Sequence, residues 1–124
     1  MLTNKNEVSL RRLKGKKRIE HLFRVGAVLH SKHLLLRYLY FDQGDSFQLG
    51  VSVAKRSFNR AHDRNRIKRQ MREALWANKN LLTSSGLGMF VFKGRVQVKT
   101  EVLISECEEL FKRLSKNNTT GDNA

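Results

Sequence analysis

The sequence predicts a single α/β domain, and three patterns carry that expectation. Residues 47–54 set Leu49, Val51 and Val53 against Gln48, Gly50, Ser52 and Ala54, the two-residue period of a strand with unlike faces. Residues 60–79 and 100–115 place apolar side chains at helical spacing,. Met89 to Phe92 is an unbroken apolar run, which suits a strand buried on both faces.

Taken in order, residues 1–12 read as loosely ordered, with Leu10 and Leu13 able to dock on the core. Ile19, Leu22 and Phe23 recur at i, i+3, i+4 and predict a short helix from Lys16 to Val25, stopped by Gly26 in the C′ position,. Val28 and Leu29 suit a short strand, and His33 to Phe41 a longer one,. Asp42-Gln43-Gly44-Asp45 reads as a turn, so strands 33–41 and 47–54 are expected to pair as a hairpin,. Ser57 or Asn59 can cap the helix that follows,. Residues 81–88, with Thr83-Ser84-Ser85-Gly86, read as a loop before the strand at 89–92,. In the last helix Leu103, Cys107, Leu110, Phe111 and Leu114 share one side, while Glu101, Glu106, Glu108 and Glu109 load the outer side and first turns,. Residues 116–124 read as a loosely ordered polar tail, and residues 1–124 as one domain.

Composition narrows the function. Of 124 residues, 25 are Lys or Arg and 11 are Asp or Glu, a formal net charge of +14. The excess is concentrated: residues 1–24 hold eight basic and two acidic side chains, and residues 55–79 hold nine basic and two acidic. Net charge of this size in a mid-chain segment exceeds what solubility needs and points to a polyanion. The single cysteine excludes an intrachain disulfide and a multi-cysteine zinc site,. No apolar stretch approaches the ~20 residues of a membrane span, and no secretory h-region is evident. The expected setting is cytoplasmic, with no membrane partner.

The mid-chain helix shows how the charge is arranged. At about 100° per residue, Ile67, Met71, Ala74 and Leu75 fall within an apolar arc about 100° wide,. Lys68, Arg72, Asn65, Arg69 and Arg66 spread over the opposite side. Like charges at i, i+4, such as Lys68 and Arg72, repel by a few tenths of a kcal/mol per pair, on the order of 0.2–0.5, and a bound anion relieves that repulsion. Arginine outnumbers lysine here, which suits bidentate phosphate contacts. Trp76 shares this side and suits either stacking on a base or packing on a neighbouring side chain,.

Arg64-Asn65-Arg66-Ile67-Lys68-Arg69-Gln70-Met71-Arg72-Glu73-Ala74 resembles the arginine–asparagine–arginine signature of the bacterial ribonuclease P protein subunit. It follows the Gly50-Val51-Ser52-Val53-Ala54-Lys55-Arg56 strand end, as in that family, and the short helix with Phe23 and Gly26 and the final acidic helix fit in order and spacing. The resemblance covers about residues 10–115. One stretch departs: where the family commonly has a glycine–asparagine pair, this chain has Ser57-Phe58-Asn59-Arg60-Ala61-His62-Asp63.

The resemblance implies a two-layer α/β sandwich, a four-stranded sheet with helices and a left-handed βαβ crossover. It implies a protein that binds a large catalytic RNA and helps it remove the 5′ leader of precursor tRNA. The RNA carries the chemistry and holds Mg2+, and no protein partner is required. On the matching positions the catalytic RNA would meet Arg64, Asn65, Arg66, Lys68, Arg69 and Arg72, with Lys55 and Arg56 at the strand end. The family's leader cleft lies between the first helix and the sheet. The candidates for it are Phe23, one strand face with His33, Leu35 and Arg37, and Gln48 and Ser52 on the neighbouring strand. Phe23 and Leu35 fit a core role equally well.

A catalytic centre on the protein itself is not expected, nor is a metal site. Asp63 and Glu73 are ten residues apart, about 15 Å along a helix,, too far to share an ion. Asp42 and Asp45 suit a turn, His21, His30, His33 and His62 lie in different elements without an evident partner, and Cys107 lies on an apolar helix side. The competing readings are a ribosomal or general RNA-binding protein of similar fold, and a DNA-binding helix protein. The second is weakened by the absence of a helix-turn-helix pattern.

Overall fold

A computed structural model describes residues 8–41 and 44–123, the last seven of these by backbone alone. The elements run β1 (Ser9–Arg12), α1 (Lys16–Val25), β2 (Ala27–His30), β3 (Leu34–Tyr40), β4 (Ser46–Val53), α2 (Ala61–Ala77), a single 3-10 turn (Lys79–Leu81), β5 (Gly86–Phe92) and α3 (Thr100–Asn123). One five-stranded sheet has the order β1-β4-β5-β3-β2. β1 and β5 both lie parallel to β4, and β3 is antiparallel to both β5 and β2.

This order corrects three expectations. The strands at 33–41 and 47–54 do not form a hairpin, because β5 lies between them. Phe90 and Phe92 fill one of its faces and Leu87 the other, all buried, so β5 gains more at the centre than at an edge. The sheet has five strands rather than four, since residues 9–12 pair with Ser46–Leu49 instead of lying loose. β5 also starts at Gly86, inside the segment expected to be a loop. Glycine there marks close packing rather than a turn: a Cβ on Gly88 would stand 2.6 Å from Leu49 Cδ2. The α2 connection between the parallel neighbours β4 and β5 is the βαβ crossover.

Strand alternation sorts the side chains into two layers. Leu34, Leu36 and Tyr38 of β3, Phe47, Leu49 and Val53 of β4, and Phe90 and Phe92 of β5 face α2 and α3. The helices answer with Ile67, Met71, Ala74 and Leu75, and with Leu103, Cys107, Leu110, Phe111 and Leu114, all buried. These are the two apolar stripes read from periodicity. Burial pushes the Cys107 thiol up to about 12, against a hydrogen bond with Asn78 that lowers it, so it stays a neutral packing group. The opposite sheet face carries α1 at one end, where Leu13, Leu22 and Leu87 are buried and Ile19, Leu39 and Met89 pack around them.

Two helix ends differ from expectation. Gly26 is extended (φ −72°), so it does not stop α1 through a left-handed turn. A Cβ there would stand 2.5 Å from the Leu22 carbonyl oxygen and 3.0 Å from that of Tyr38, so glycine lets the chain turn tightly into β2. At α2 neither Ser57 nor Asn59 caps; Arg60 holds the N-cap position without a side-chain bond. Instead Arg64 Nη1 donates to the carbonyls of Phe58 (2.7 Å) and Asn59 (2.8 Å), and Phe58 packs 5.9 Å from Phe92. An arginine clamp and an aromatic anchor thus order the stretch that departs from the family pattern. At the other end of the chain, helix α3 continues to Asn123, beyond the expected tail boundary.

Candidate RNA interface

The sheet-facing stripe of α2 fixes the direction of everything else on that helix. With Ile67, Met71, Ala74 and Leu75 buried, Asn65, Arg66, Arg69 and Arg72 are exposed on the far side, and Lys68 is half-buried at the edge. Lys55 and Arg56, exposed in the turn after β4, lie just before the helix in sequence. Among the described residues none of these cations forms an ion pair with a carboxylate; Lys112 and Arg113, on α3, do pair with Glu108 and Glu109. Two carboxylates share the helix, exposed Glu73 and half-buried Asp63 in its first turn, and neither pairs with these cations, so the field of the α2 face is largely uncompensated. That is the electrostatic footprint of a surface for phosphate. Arg64 stands apart from this set, because its Nη1 is engaged by loop carbonyls.

The second group of candidates lies across the sheet. Register puts Val28, Arg37, Met89 and Gly50 on one rung, and His30, Leu35, Val91 and Ser52 on the next. Helix α1 covers the Leu39–Leu87–Gln48 rung and leaves these two half-open, with Leu35, Arg37 and Ser52 only partly buried. With β5 between β3 and β4, Leu35 and Ser52 stand about 9–10 Å apart, wide enough to floor a single strand. Phe23 is 45% exposed on the α1 wall, and the Arg37 guanidinium lies 5.2 Å from its ring centroid. Gln48 Oε1 accepts from Arg18 Nη1 at 2.9 Å. Arg18 was not among the sequence candidates, though it belongs to the basic block at 1–24 and sits one helical turn from Leu22.

His33 does not join this face. It precedes β3, and its ring stacks on Phe92 (centroids 6.3 Å apart) on the side of α3. Its Nδ1 lies 2.5 Å from Glu106 Oε2, and its backbone N–H donates to Glu106 Oε1 at 2.8 Å. Ser31 Oγ donates to the same carboxylate. Two expectations change here: His33 has a partner, and Glu106 points into the fold rather than outward. The physical reason is that the β2–β3 turn brings an unpaired N–H, a hydroxyl and an imidazole against α3, and a carboxylate can accept all three. Burial alone would raise the Glu106 carboxyl. The hydrogen bonds from Ser31 and His33, together with the nearby imidazole, outweigh it and hold the group below its ordinary 4.5,. The serine donates to the carboxylate and not to the imidazole, so the cluster is a brace and not an activated nucleophile.

Among the described residues no three His, Cys, Asp or Glu side chains come together to hold a metal ion. Asp63 accepts from Gln97 at 3.4 Å, and Asp45 is exposed. Asp42 lies outside the described residues.

The family model described as Ribonuclease P matches residues 9–115. The chain belongs to the ribonuclease P protein family. It is 36% identical over 66 residues to the ribonuclease P protein component of Yersinia enterocolitica, a match spanning 53% of this chain and 56% of that relative. The corresponding component of Pectobacterium atrosepticum matches to the same extent. The aligned part is thus about half the length of these curated relatives. In fold, the RNase P protein of Staphylococcus aureus is similar over 83% of this chain and 94% of its own, with TM-score 0.71 and 21% identity. The RNase P protein from Thermotoga maritima gives 0.72 and 20%, over 83% and 96%.

Proposed function

We propose that this chain is the RNA-binding protein subunit of ribonuclease P. The α2 face binds the catalytic RNA, and the cleft between α1 and the sheet receives the 5′ leader of precursor tRNA. The observation that carries the reading is the ion-pair-free basic face of α2, set directly opposite a fully buried stripe. The helix cannot turn those cations inward without exposing its core, so they are held ready for a phosphate backbone. The cleft opens on the sheet face away from α2.

Within this assignment the protein binds and positions. Arg37 and Arg18 supply positive charge at the cleft, Phe23 a ring on which a base can stack, and Gln48 and Ser52 hydrogen-bonding groups. Metal-assisted phosphodiester cleavage uses metal-activated water and charge stabilisation at the leaving oxygen. The protein's scattered carboxylates do not offer that, and the reading assigns Mg2+ to the RNA. Reconstitution tests it. Purified protein alone should leave precursor tRNA intact, and adding ribonuclease P RNA should give 5′ cleavage at low magnesium. Magnesium-dependent cleavage by rigorously RNA-free protein, or no stimulation of the RNA, would overturn it.

A further inference from the structure

A groove of about 380 Å3 opens where β1 ends against α2. β1 pairs with β4 only as far as Leu49, and the Leu13 N–H closes that ladder on the Leu49 carbonyl at 3.1 Å. Beyond it the edge of β4 has no strand neighbour among the described residues. The groove lies between that edge and the last turns of α2. Arg11, Arg12 and Arg72 form its charged rim, Leu75 and Met89 contribute apolar floor, and no carboxylate lines it. Trp76, the only tryptophan of the chain, forms one wall and is 59% exposed. Lys79 Nζ sits 3.9 Å from the indole centroid. Lys79 lines the adjoining concavity and not this groove.

The exposed indole offers a flat apolar face beside cationic side chains,. Three arginines around an apolar floor select a ligand that is flat and apolar in one part and anionic in another. We propose that this groove holds one unstacked nucleotide of the RNA bound by α2, its base stacked on Trp76 and its phosphates met by Arg11, Arg12 and Arg72. The volume suits one nucleotide and excludes a duplex. Arg72 belongs to both the groove and the basic face of α2, so a strand on that face reaches the groove without leaving cationic surface. The inference rests on the RNA-binding reading, and it adds a base-stacking site to a face otherwise read as meeting phosphate.

Because Trp76 is the sole tryptophan, its emission reports on the site directly. Titrating the full chain with ribonuclease P RNA should quench that emission to a saturating end point. Inorganic polyphosphate, which has charge but no bases, should bind without comparable quenching. Trp76→Ala should weaken RNA binding about 5- to 150-fold, the range for removing one stacked base, and leave the salt dependence unchanged. Trp76→Phe should restore most of the affinity. Tight RNA binding with unchanged emission, full affinity in Trp76→Ala, or equal quenching by polyphosphate would overturn the groove assignment while leaving the function standing. No binding of ribonuclease P RNA by the wild-type chain would overturn both.

Discussion

The guanidinium of Arg37 lies 5.2 Å from the ring centroid of Phe23. One residue is on a central strand and the other on the helix above it, and the contact ties the cleft wall to its floor. A cation over an aromatic face contributes about 0.5–2 kcal/mol, and here it also orients the ring beside the open rungs. If a leader base stacks on that ring, Phe23→Ala and Arg37→Ala should each lower the affinity for precursor tRNA relative to mature tRNA. The expected loss is about 1–3 kcal/mol per stacked base. The reconstituted holoenzyme gives the ratio directly, and circular dichroism checks folding. Phe23 is too exposed for its removal to unfold the domain.

Met71 is 2% exposed in the middle of the α2 stripe. Met71→Asp should destabilise the domain by more than about 3 kcal/mol, since an unpaired carboxylate replaces apolar contacts. Urea denaturation measures this, and a loss below about 1 kcal/mol would mean that the helix packs on another face.

Arg64 and Arg66 are two residues apart and should separate structure from binding. Arg64→Ala removes the clamp on the Phe58 and Asn59 carbonyls and should cost about 1–3 kcal/mol of stability. Arg66→Ala, on the exposed side, should stay within about 0.5 kcal/mol of wild type. Thermal melts of the two variants compare them, and equal stability would show that the clamp is dispensable.

Glu106 gives the fold an acid-sensitive brace. Its folded carboxyl lies below the ordinary 4.5, so its contribution is fully present above the unfolded value and is lost as pH falls through the folded one. Wild type should lose stability as pH falls below about 4.5. Glu106→Gln should be less stable at neutral pH and show a shallower acid limb. Parallel acid limbs for the two proteins would place the brace elsewhere.

Much of this architecture is legible in the sequence because period and burial coincide. The stripes of α2 and α3, the extent of α1 and the alternation of β4 all follow from side-chain spacing, and the basic face follows from the α2 stripe by geometry. Strand order does not, since pairing depends on which strand buries both faces, and the turn at 42–45 suggests a local hairpin whichever strand intervenes. Gly86 and Gly88 read as loop because close packing and turning demand the same residue. His33 misleads by alternation, which places it on the strand face; the strand starts one residue later, and Glu106, 73 residues away, draws the ring to the other side. Arg64 belongs to the motif by spacing, yet the loop it clamps can be seen only in three dimensions.

The central claim is that the exposed side of α2 meets RNA phosphate. The most direct measurement is the salt dependence of binding to ribonuclease P RNA for wild type and for Arg66→Ala/Arg69→Ala. Both side chains are exposed and lie off the apolar stripe, so the variant should fold normally. The slope of log affinity against log salt should become shallower by about 0.7–0.9 for each phosphate that the variant no longer neutralises, with weaker binding throughout. A folded variant with the wild-type slope and affinity would contradict the account.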